Sequence, residues 1–321
     1  MFDRLHIVIH PSQYPEAVQD ELLRSLRQRA INHKFHYDSY KQTQKWLALH
    51  EACSPARTDP DCEAIYDSSF TTAAVKCAGE SVHVIGLGAG GGQKDAQLLR
   101  QLRRAGRSLG YTPIDVSTPM ALVTATATSE IVERLTPIVA DLQLATDLLR
   151  FIEPQIPSGA ARVFTFFGMI PNFEPDQIMP VLAELVRPKD ILLFSANLAP
   201  GQDYRRGVER VKPLYDNKLT RDWLMTFLID LGVKHSDGQL SWRIEGDSYL
   251  RLAAHYKFRR DRVLAVGRER FCFKRGERIR LFFSYRYTPS IMRELLSRYG
   301  FSIQQQWITK SQEEGVFLCS R

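Results

Sequence analysis

The sequence predicts an α/β protein: a parallel sheet covered by helices on both faces, followed by a mostly antiparallel α+β unit. Near-continuous apolar runs at 162–167 and 190–196 are typical of strands buried on both sides. Segments with helical periodicity separate these runs, as in a Rossmann-like fold. From about residue 243 onward, apolar and polar residues instead alternate with a period of two, which indicates antiparallel strands with one face in water.

The individual elements are predicted in chain order. The first 80 residues contain an amphipathic stretch at 16–29, then a helix and a proline-punctuated loop. Strands of the parallel sheet are predicted at 82–87, 111–115, 137–140, 162–167 and 190–196, and helices at 94–109, 118–135, 142–153 and 174–187. Antiparallel strands are predicted at 250–258, 261–266 and 277–287, followed by a helix at 289–300 and two final strands.

The first parallel strand runs directly into a turn that is rich in glycine. Because glycine adopts positive φ and has no Cβ, a nucleotide can lie against the backbone and the helix amides that follow. Asp115 ends the next strand, where a ribose-binding carboxylate belongs, although it could instead cap the helix that begins near Pro119. The order predicts an adenosine-type cofactor, and the GxGxxG spacing alone does not distinguish NAD(P) from S-adenosylmethionine. The glycines are Gly86, Gly88, Gly90, Gly91 and Gly92.

Composition restricts the class of protein. The apolar fraction of 44% is ordinary for a globular core, and no apolar run approaches the ~20 residues of a membrane span. No signal peptide is evident, so we expect a cytoplasmic protein. The five cysteines lack CxxC spacing, which predicts free thiols and no metal site. The net charge of +7 fits solvated helix faces, and we expect a small-molecule substrate, no nucleic-acid or membrane partner, and a monomer or weak dimer.

Several short segments follow one another in a distinctive order. In that order they resemble the histidine-specific methyltransferase family, which includes the histidine Nα-methyltransferase of ergothioneine biosynthesis. The most specific are FFGMIPNFEP and GERIRLFFSYRY, neither of which is typical of a dehydrogenase. The segments are KFHYDS (34–39), GLGAGGGQK (86–94), YTPIDVS (111–117), AD (140–141), FFGMIPNFEP (166–175), RPKDILLFSANL (187–198), LYDN (214–217) and GERIRLFFSYRY (276–287).

This resemblance implies a Rossmann-like S-adenosylmethionine-dependent methyltransferase fold and S-adenosylmethionine as the cofactor. It also implies three units: residues 1–195 with the cofactor domain, 196–285 as a substrate-binding lid, and 286–321 returning to the first domain. The residues that match the family's cofactor site are Gly88, Ala89, Gly90, Lys94, Asp115, Val116, Asp141, Leu142 and Gly168.

On the substrate side, the resemblance assigns catalytic positions to Asn172, Tyr215 and Tyr37. Asn172 and Tyr215 match the pair that grips the amino-acid end of the substrate, and Tyr37 matches a tyrosine over the active site. The imidazole-binding glutamate of the family is replaced by Phe282, whereas its partner Ser284 is kept.

The pattern of the last long strand and two further departures from the family bear on the site. Strict alternation in the last long strand would place Phe282 and Ser284 on one face and Phe283 on the other. The family's tyrosine pair is missing near Cys53 and Ser54. Glycine also stands at position 86, where the family has glutamate.

A phenyl ring cannot accept hydrogen bonds as a carboxylate does, so histidine is predicted to be a poor substrate. The leading hypothesis is an N-methyltransferase acting on an amino acid or related small amine with an apolar or aromatic group facing Phe282. The alternatives are an O-methyltransferase or an enzyme acting on a larger natural-product scaffold, and a non-catalytic S-adenosylmethionine-binding scaffold. An NAD-dependent oxidoreductase ranks last.

Overall fold

A computed structural model describes residues 5–321. The start of the first predicted unit, residues 1–4, lies outside the described residues. The strands are β1 (Val8–Ile9), β2 (Ser81–Leu87), β3 (Ser108–Asp115), β4 (Arg134–Leu135), β5 (Ile138–Val139), β6 (Ala161–Phe167), β7 (Ile191–Asn197), β8 (Gly238–Glu245), β9 (Leu250–Phe258), β10 (Arg262–Val266), β11 (Glu269–Phe273), β12 (Arg278–Arg286), β13 (Ser302–Ile308) and β14 (Glu314–Ser320).

Helices cover the sheet and form much of the first 80 residues. They are α1 (Pro15–Arg27), α2 (Tyr40–Cys53), α3 (Pro55–Thr58), α4 (Pro60–Lys76), α5 (Gln93–Arg104), α6 (Thr118–Thr128), α7 (Leu149–Ile152), α8 (Pro175–Leu185), α9 (Tyr204–Arg210), α10 (Lys212–Tyr215), α11 (Lys218–Asp230) and α12 (Pro289–Arg298). Short 3-10 helices include His33–His36 and Ile170–Asn172.

The large sheet has the strand order β1-β5-β3-β2-β6-β7-β14-β13, with β4 pairing at the side of β3. All pairs from β1 to β7 are parallel, whereas β14 is antiparallel to both β7 and β13. The chain crosses to the other half of the sheet after β5, so a crevice opens at the carboxyl ends of β2 and β6, where open α/β sheets bind ligands. The predicted Rossmann-like fold class is confirmed.

Three predicted helices are shorter than their periodicity suggested. The helix predicted at 94–109 ends at Arg104, because Gly106 takes a positive φ of 78° and β3 starts two residues later. The helix predicted at 118–135 ends at Thr128, and β4 occupies its expected last residues. Within 142–153, only Leu149–Ile152 is α-helical. Just before this stretch, the side chain of Asp141 accepts the N–H of Gln143, which forms a local turn in place of a helical one.

The antiparallel unit is a three-stranded sheet in the order β12-β9-β8, with β10 and β11 forming a separate hairpin. β8 was not predicted, although Leu240, Trp242 and Ile244 alternate with polar residues along it. The segment before the His33–His36 helix attaches to this sheet: Ile31 N–H donates to Arg280 O at 2.8 Å, and Arg280 N–H donates to Arg29 O at 2.9 Å. The predicted division at 195 and 285 stays a prediction, although β13 and β14 do join the large sheet.

Three buried clusters form the core. One lies on each face of the large sheet, and the third joins the antiparallel unit to the N-terminal helices. Across residues 5–321, no helix combines the length and apolar character that crossing a bilayer requires.

Candidate active site

A cavity of about 610 Å³ lies between the carboxyl edge of the large sheet, the antiparallel unit and the N-terminal segment. Every residue that the sequence assigned to the cofactor or substrate lines it. Their roles remain predictions, but the fold brings all of them together from positions far apart in the chain. They are Tyr37, Gly88, Ala89, Gly90, Lys94, Asp115, Val116, Asp141, Leu142, Gly168, Asn172, Tyr215, Phe282 and Ser284.

The glycine loop leaves bare backbone along one wall of the cavity. Gly88 has a φ of +67°, and a Cβ added there would fall 2.6 Å from Cγ of Met169, so a larger residue would strain the backbone and displace the Met169 side chain. The N–H of Gly88 donates to Ile114 O at 2.8 Å, which fixes the loop to the end of β3. This arrangement fits the close approach of an adenosine-type cofactor.

Asp115 stands beside that loop at the end of β3. Its carboxylate accepts the N–H of Gly90 and the N–H of Ser117, both at 3.0 Å. Burial nevertheless raises the pKa of Asp115 to about 6. The cap of α6 is Ser117, whose side chain accepts the N–H of Met120, so the helix does not depend on Asp115 as its cap. The carboxylate therefore lies beside the glycine loop in the cavity wall, and its ribose role stays a prediction.

Lys94 makes its contacts within the protein. Its Nζ donates to Tyr66 OH at 2.6 Å and lies 3.7 Å from Glu314, while Tyr66 OH donates to Glu314 at 2.6 Å. Ser195 Oγ extends this network, since it lies 2.8 Å from Tyr66 OH and accepts the N–H of Gly168 at 2.8 Å. One hydrogen-bond network thus holds two predicted cofactor residues, Lys94 and Gly168.

Sequence reasoning missed Tyr66 and Glu314. They lie 248 positions apart, and the structure joins them only because α4 packs against β14. Burial and the neighbouring Glu314 raise the pKa of Tyr66 well above its ordinary value, so Tyr66 is a neutral phenol.

A carboxylate also occupies the space beside Gly86, the position at which the family has glutamate. A Cβ on Gly86 would fall 2.7 Å from Oδ2 of Asp95 and 2.8 Å from the hydroxyl of Tyr111. Asp95 accepts hydrogen bonds from Tyr111 OH at 2.5 Å and Thr165 Oγ1 at 2.7 Å, and burial raises its pKa. The first turn of α5 thus places a carboxylate beside Gly86, and the sequence signal was an aspartate just after the glycine loop.

On the adenine side, Asp141 is held by a lysine that sequence reasoning also missed. Lys34 Nζ lies 3.3 Å from Oδ2 of Asp141, and both side chains are buried. Lys34 belongs to the His33–His36 helix. Asn32 caps this helix, because its side-chain oxygen accepts the backbone N–H of Lys34. Leu142 is buried next to this pair along the chain. The ion pair therefore links the N-terminal segment to the predicted adenine pocket.

On the predicted substrate side of the cavity, Asn172 and Tyr215 both hydrogen-bond to residues of strand β12. Asn172 Nδ2 donates to Phe283 O at 3.1 Å, and Tyr215 OH lies 2.8 Å from Ser284 Oγ. Asn172 does not cap α8, because Glu174 stands at the cap position of that helix. Asn172, Tyr215 and the strand residues Phe282 and Ser284 therefore form one connected wall.

A bulge interrupts the alternation along β12, because its pairing with β9 shifts register between Arg280 and Phe282. Phe282 therefore packs in the same cluster as Leu281, whereas Phe283 packs in another, and Phe282, Phe283 and Ser284 all line the cavity. A period-two argument cannot detect such a bulge, because it depends on pairing with β9 rather than on the strand's own residues.

Phe282 is packed among other rings and is only 7% exposed. It stacks on His33 with centroids 4.7 Å apart, and it meets Trp223 and Trp242 edge-on at 5.6 and 6.2 Å. Burial lowers the pKa of His33 well below its ordinary value, so the imidazole is neutral. His33 Nε2 accepts the N–H of Phe283 at 3.1 Å, so this nitrogen is not free to act as a base.

Tyr37 closes the site from the N-terminal side. Its ring contacts Trp46 and Trp223 at centroid distances of 5.9 and 5.4 Å, and burial raises the pKa of its hydroxyl. Its carbonyl accepts a hydrogen bond from Ser117 Oγ at 2.7 Å, which ties this segment to the loop after Asp115. Tyr37 thus brings an aromatic wall close to the predicted ribose site.

Comparison with known proteins adds a family match. The family model described as "Histidine-specific methyltransferase, SAM-dependent" matches residues 18–321. The N-methyltransferase imqF of Aspergillus flavus is 25% identical over 252 residues, which are 73% of this chain and 65% of that protein. The chain therefore spans somewhat less than two thirds of that relative's length.

Two solved structures with a similar fold are described as methyltransferases. The mitomycin 7-O-methyltransferase MmcR has a TM-score of 0.42 at 14% identity, covering 97% of this chain and 69% of that one. The CcbJ methyltransferase from Streptomyces caelestis has a TM-score of 0.39 at 13% identity, covering 81% and 95%. Both scores are low, and the fold assignment rests on the strand order and the family match.

Proposed function

This chain belongs to the histidine-specific, S-adenosylmethionine-dependent methyltransferase family, and we propose that it methylates the nitrogen of an amino acid or related small amine other than histidine. The family membership confirms the resemblance noted from the sequence. The description of the relative from Aspergillus flavus as an N-methyltransferase supports nitrogen as the acceptor atom.

The residues present fit the cofactor that this family uses. The bare loop at Gly88, the carboxylate of Asp115 and the buried pair of Asp141 with Lys34 would hold its amino-acid, ribose and adenine parts. When bound, S-adenosylmethionine supplies an activated methyl group on a sulfonium. The protein then has to orient the acceptor and exclude water.

The observation that carries the substrate proposal is the enclosure of Phe282. Where the family places a carboxylate for imidazole, this chain has a ring packed by His33, Trp223 and Trp242. An imidazole N–H directed at that wall would lose an acceptor, which costs about 2 kcal/mol or more. A flat apolar or aromatic group would pack there without such a loss.

The same walls suit an amine as the acceptor. An ammonium group must lose its proton before it attacks, and a pocket lined by rings lowers its pKa through desolvation. After transfer, the faces of Tyr37 and Trp46 can stabilise a methylated cation. No side-chain base is required if the amine arrives neutral.

Methylation assays with S-adenosylmethionine, read by mass spectrometry, test this function. The panel comprises histidine, phenylalanine, tryptophan, tyrosine, their decarboxylated amines, and phenols. We expect nitrogen methylation of an aromatic amino acid or amine, and at least ~10-fold lower kcat/KM for histidine.

Two variants serve as matched controls. Phe282→Glu restores an acceptor and should shift selectivity toward histidine, whereas Phe282→Leu keeps an apolar wall and should not. Methylation at oxygen, preference for histidine in the unmodified protein, or cofactor binding without turnover on any acceptor would each contradict the proposal.

A further inference from the structure

A short segment of the antiparallel unit carries the excess positive charge of the chain. Residues 257–280 contain ten lysines and arginines against three acids, a net charge of +7, which equals the formal net charge of all 321 residues. The rest of the sequence is therefore balanced. The charge is concentrated where β9, the β10–β11 hairpin and β12 follow one another, and such a concentration attracts partners of opposite charge.

Two acids of this region are already paired with other cations. Asp261 pairs with Lys274 at 2.9 Å, and Asp237, from the turn before β8, pairs with Arg260 at 3.4 Å. Several exposed cations of the segment have no carboxylate of residues 5–321 within ion-pair distance, so they can bind an anionic partner. These cations are Lys257, Arg259, Arg268, Arg270, Arg275 and Arg278.

Two of these cations face each other across a pair of strands. Lys257 of β9 and Arg278 of β12 are direct partners in the antiparallel register, and Gln239 of β8 stands opposite Lys257 on its other side. Like charges that are directly opposite in a sheet lower its stability. Arg259 adds a third cation, since its Nη2 donates to Gln239 Oε1 at 2.9 Å. Repulsion of this kind, without a compensating acid, is typical of a binding surface.

An exposed apolar side chain lies close to these cations. Val263 of β10 is 57% exposed, and its cross-strand partner Cys272 of β11 is exposed as well. Its neighbour Arg262 pairs with Asp237, whose carbonyl accepts the N–H of Arg259 at 2.8 Å. Protein–protein interfaces have this composition, with an apolar centre, a polar rim and many arginines.

Nucleic acids and membranes fit this surface less well than a protein does. Single strands bind by stacking on exposed rings, whereas every aromatic side chain of residues 256–273 is buried. Membrane-surface segments insert several apolar side chains, and within residues 256–280, all of which the structure describes, only Val263 is a large exposed apolar residue. A two-fold contact with a second copy would bring like charges together.

These cations also lie next to the cavity. Arg278 and Arg280 are two residues apart on β12, which is about 7 Å along a strand, and Arg280 lines the cavity. A protein that binds Arg278 is therefore adjacent to the candidate active site.

We propose that Lys257, Arg259 and Arg278 form a docking surface for an acidic protein, which binds beside the active site through carboxylates arranged around an apolar side chain. The inference goes beyond methyl transfer, because it holds whichever atom accepts the methyl group.

Fluorescence anisotropy with three labelled probes tests the docking surface. The first is a short peptide that alternates glutamate with leucine, the second has serine in place of leucine, and the third is an oligothymidylate of the same charge. We expect the glutamate–leucine peptide to bind most tightly, with an affinity that falls as salt is added. Vesicles containing phosphatidylserine, tested by co-sedimentation, should not bind at physiological ionic strength.

Two double variants with the same change in net charge locate the binding surface. Lys257→Glu with Arg278→Glu should weaken binding of the glutamate–leucine peptide by about 10-fold or more. Arg100→Glu with Arg104→Glu alters two exposed residues of α5 and should weaken it by no more than about 2-fold. Lys257→Glu alone should raise the urea midpoint, because it replaces a like-charge pair with an attractive one.

The fold of each variant is checked by its affinity for S-adenosylhomocysteine, which should not change. Lys257→Gln with Arg278→Gln introduces no new charge and should give a smaller loss of peptide binding in the same direction. Equal weakening by the two glutamate double variants would overturn the proposal, since binding would then follow net charge. Tighter binding of oligothymidylate or of the vesicles would replace the acidic protein with nucleic acid or membrane. No binding of the glutamate–leucine peptide would also overturn it.

Discussion

At the scale of single residues, the site depends on buried acids whose charge is set by their surroundings. Asp115 illustrates this, because desolvation raises its pKa to about 6 while two backbone N–H groups favour its ionised form. Asp95 is similar, with a raised pKa and two hydroxyl donors. Both acids flank the glycine loop, where a cofactor with ribose hydroxyls and an ammonium group would benefit from carboxylates.

The raised pKa of Asp115 predicts pH-dependent cofactor binding. A ribose hydroxyl donates better to a carboxylate than to a carboxylic acid, so binding favours the ionised form. That form is present above about pH 6 and is lost as the pH falls through this value. The Kd for S-adenosylmethionine should therefore rise by up to ~10-fold per pH unit below pH 6. Calorimetry between pH 5 and 8 measures this.

Asp115→Asn provides the control, because an amide does not titrate. It should bind more weakly at neutral pH, with a nearly flat profile. An equally steep acid limb in this variant would assign the dependence to another group, and a flat profile in the unmodified protein would contradict the prediction.

At the scale of elements, the His33–His36 helix is held by contacts far from it in sequence. Lys34 pairs with Asp141, His33 stacks on Phe282, and His36 Nε2 contacts Leu281 O at 2.6 Å. Burial lowers the pKa of His36 to about 4, so it is neutral and donates this hydrogen bond. One short helix thus joins both sheets around the cavity.

Removing the charge of Lys34 should destabilise the protein. Lys34→Met would leave Asp141 buried without its partner, which costs about 3–5 kcal/mol. Lys41→Met is a matched control, because the pair of Lys41 with Asp230 is exposed and contributes less than ~1 kcal/mol. Urea denaturation compares the free energies of unfolding. Equal losses for the two variants would show that the buried pair has no special role.

At the scale of the whole molecule, the cavity is formed where three parts of the chain meet. The large sheet supplies the glycine loop and Asp115, the antiparallel unit supplies Phe282 and Ser284, and the N-terminal segment supplies Tyr37 and Trp46. Trp46 lies close to the loop, since a Cβ on Gly90 would be 3.3 Å from its indole ring. Ligand binding at the glycine loop should therefore change the surroundings of Trp46 in the N-terminal segment.

Intrinsic tryptophan fluorescence tests whether a bound ligand contacts the N-terminal segment. The protein has four tryptophans, and of these Trp46 and Trp223 line the cavity, whereas Trp307 lies on β13. Binding of S-adenosylhomocysteine should change the emission, and Trp46→Phe should remove most of the change. Trp307→Phe should leave it intact. An emission change of unreduced size in Trp46→Phe would contradict contact between the cofactor and Trp46 and would assign the signal to another tryptophan such as Trp223.

The sequence by itself determined the fold class, the positions along the chain of the main parallel strands, and a set of candidate residues that all line one cavity. It could do so because strands buried on both sides, glycines near a ligand and motif residues carry local signals. The sequence also shows Phe282 where the family has a carboxylate, and the substrate hypothesis follows from that replacement.

Tertiary structure alone decided how these residues are supported. The pairs Lys34 with Asp141, Tyr66 with Glu314, and Arg286 with Tyr215 join positions between 71 and 248 residues apart. Neither partner has a local signal, because a buried charge or hydroxyl is satisfied by whatever the fold brings next to it. The bulge in β12 and the carboxylate of Asp95 beside Gly86 have the same origin: both depend on packing between elements, which periodicity along one element does not encode.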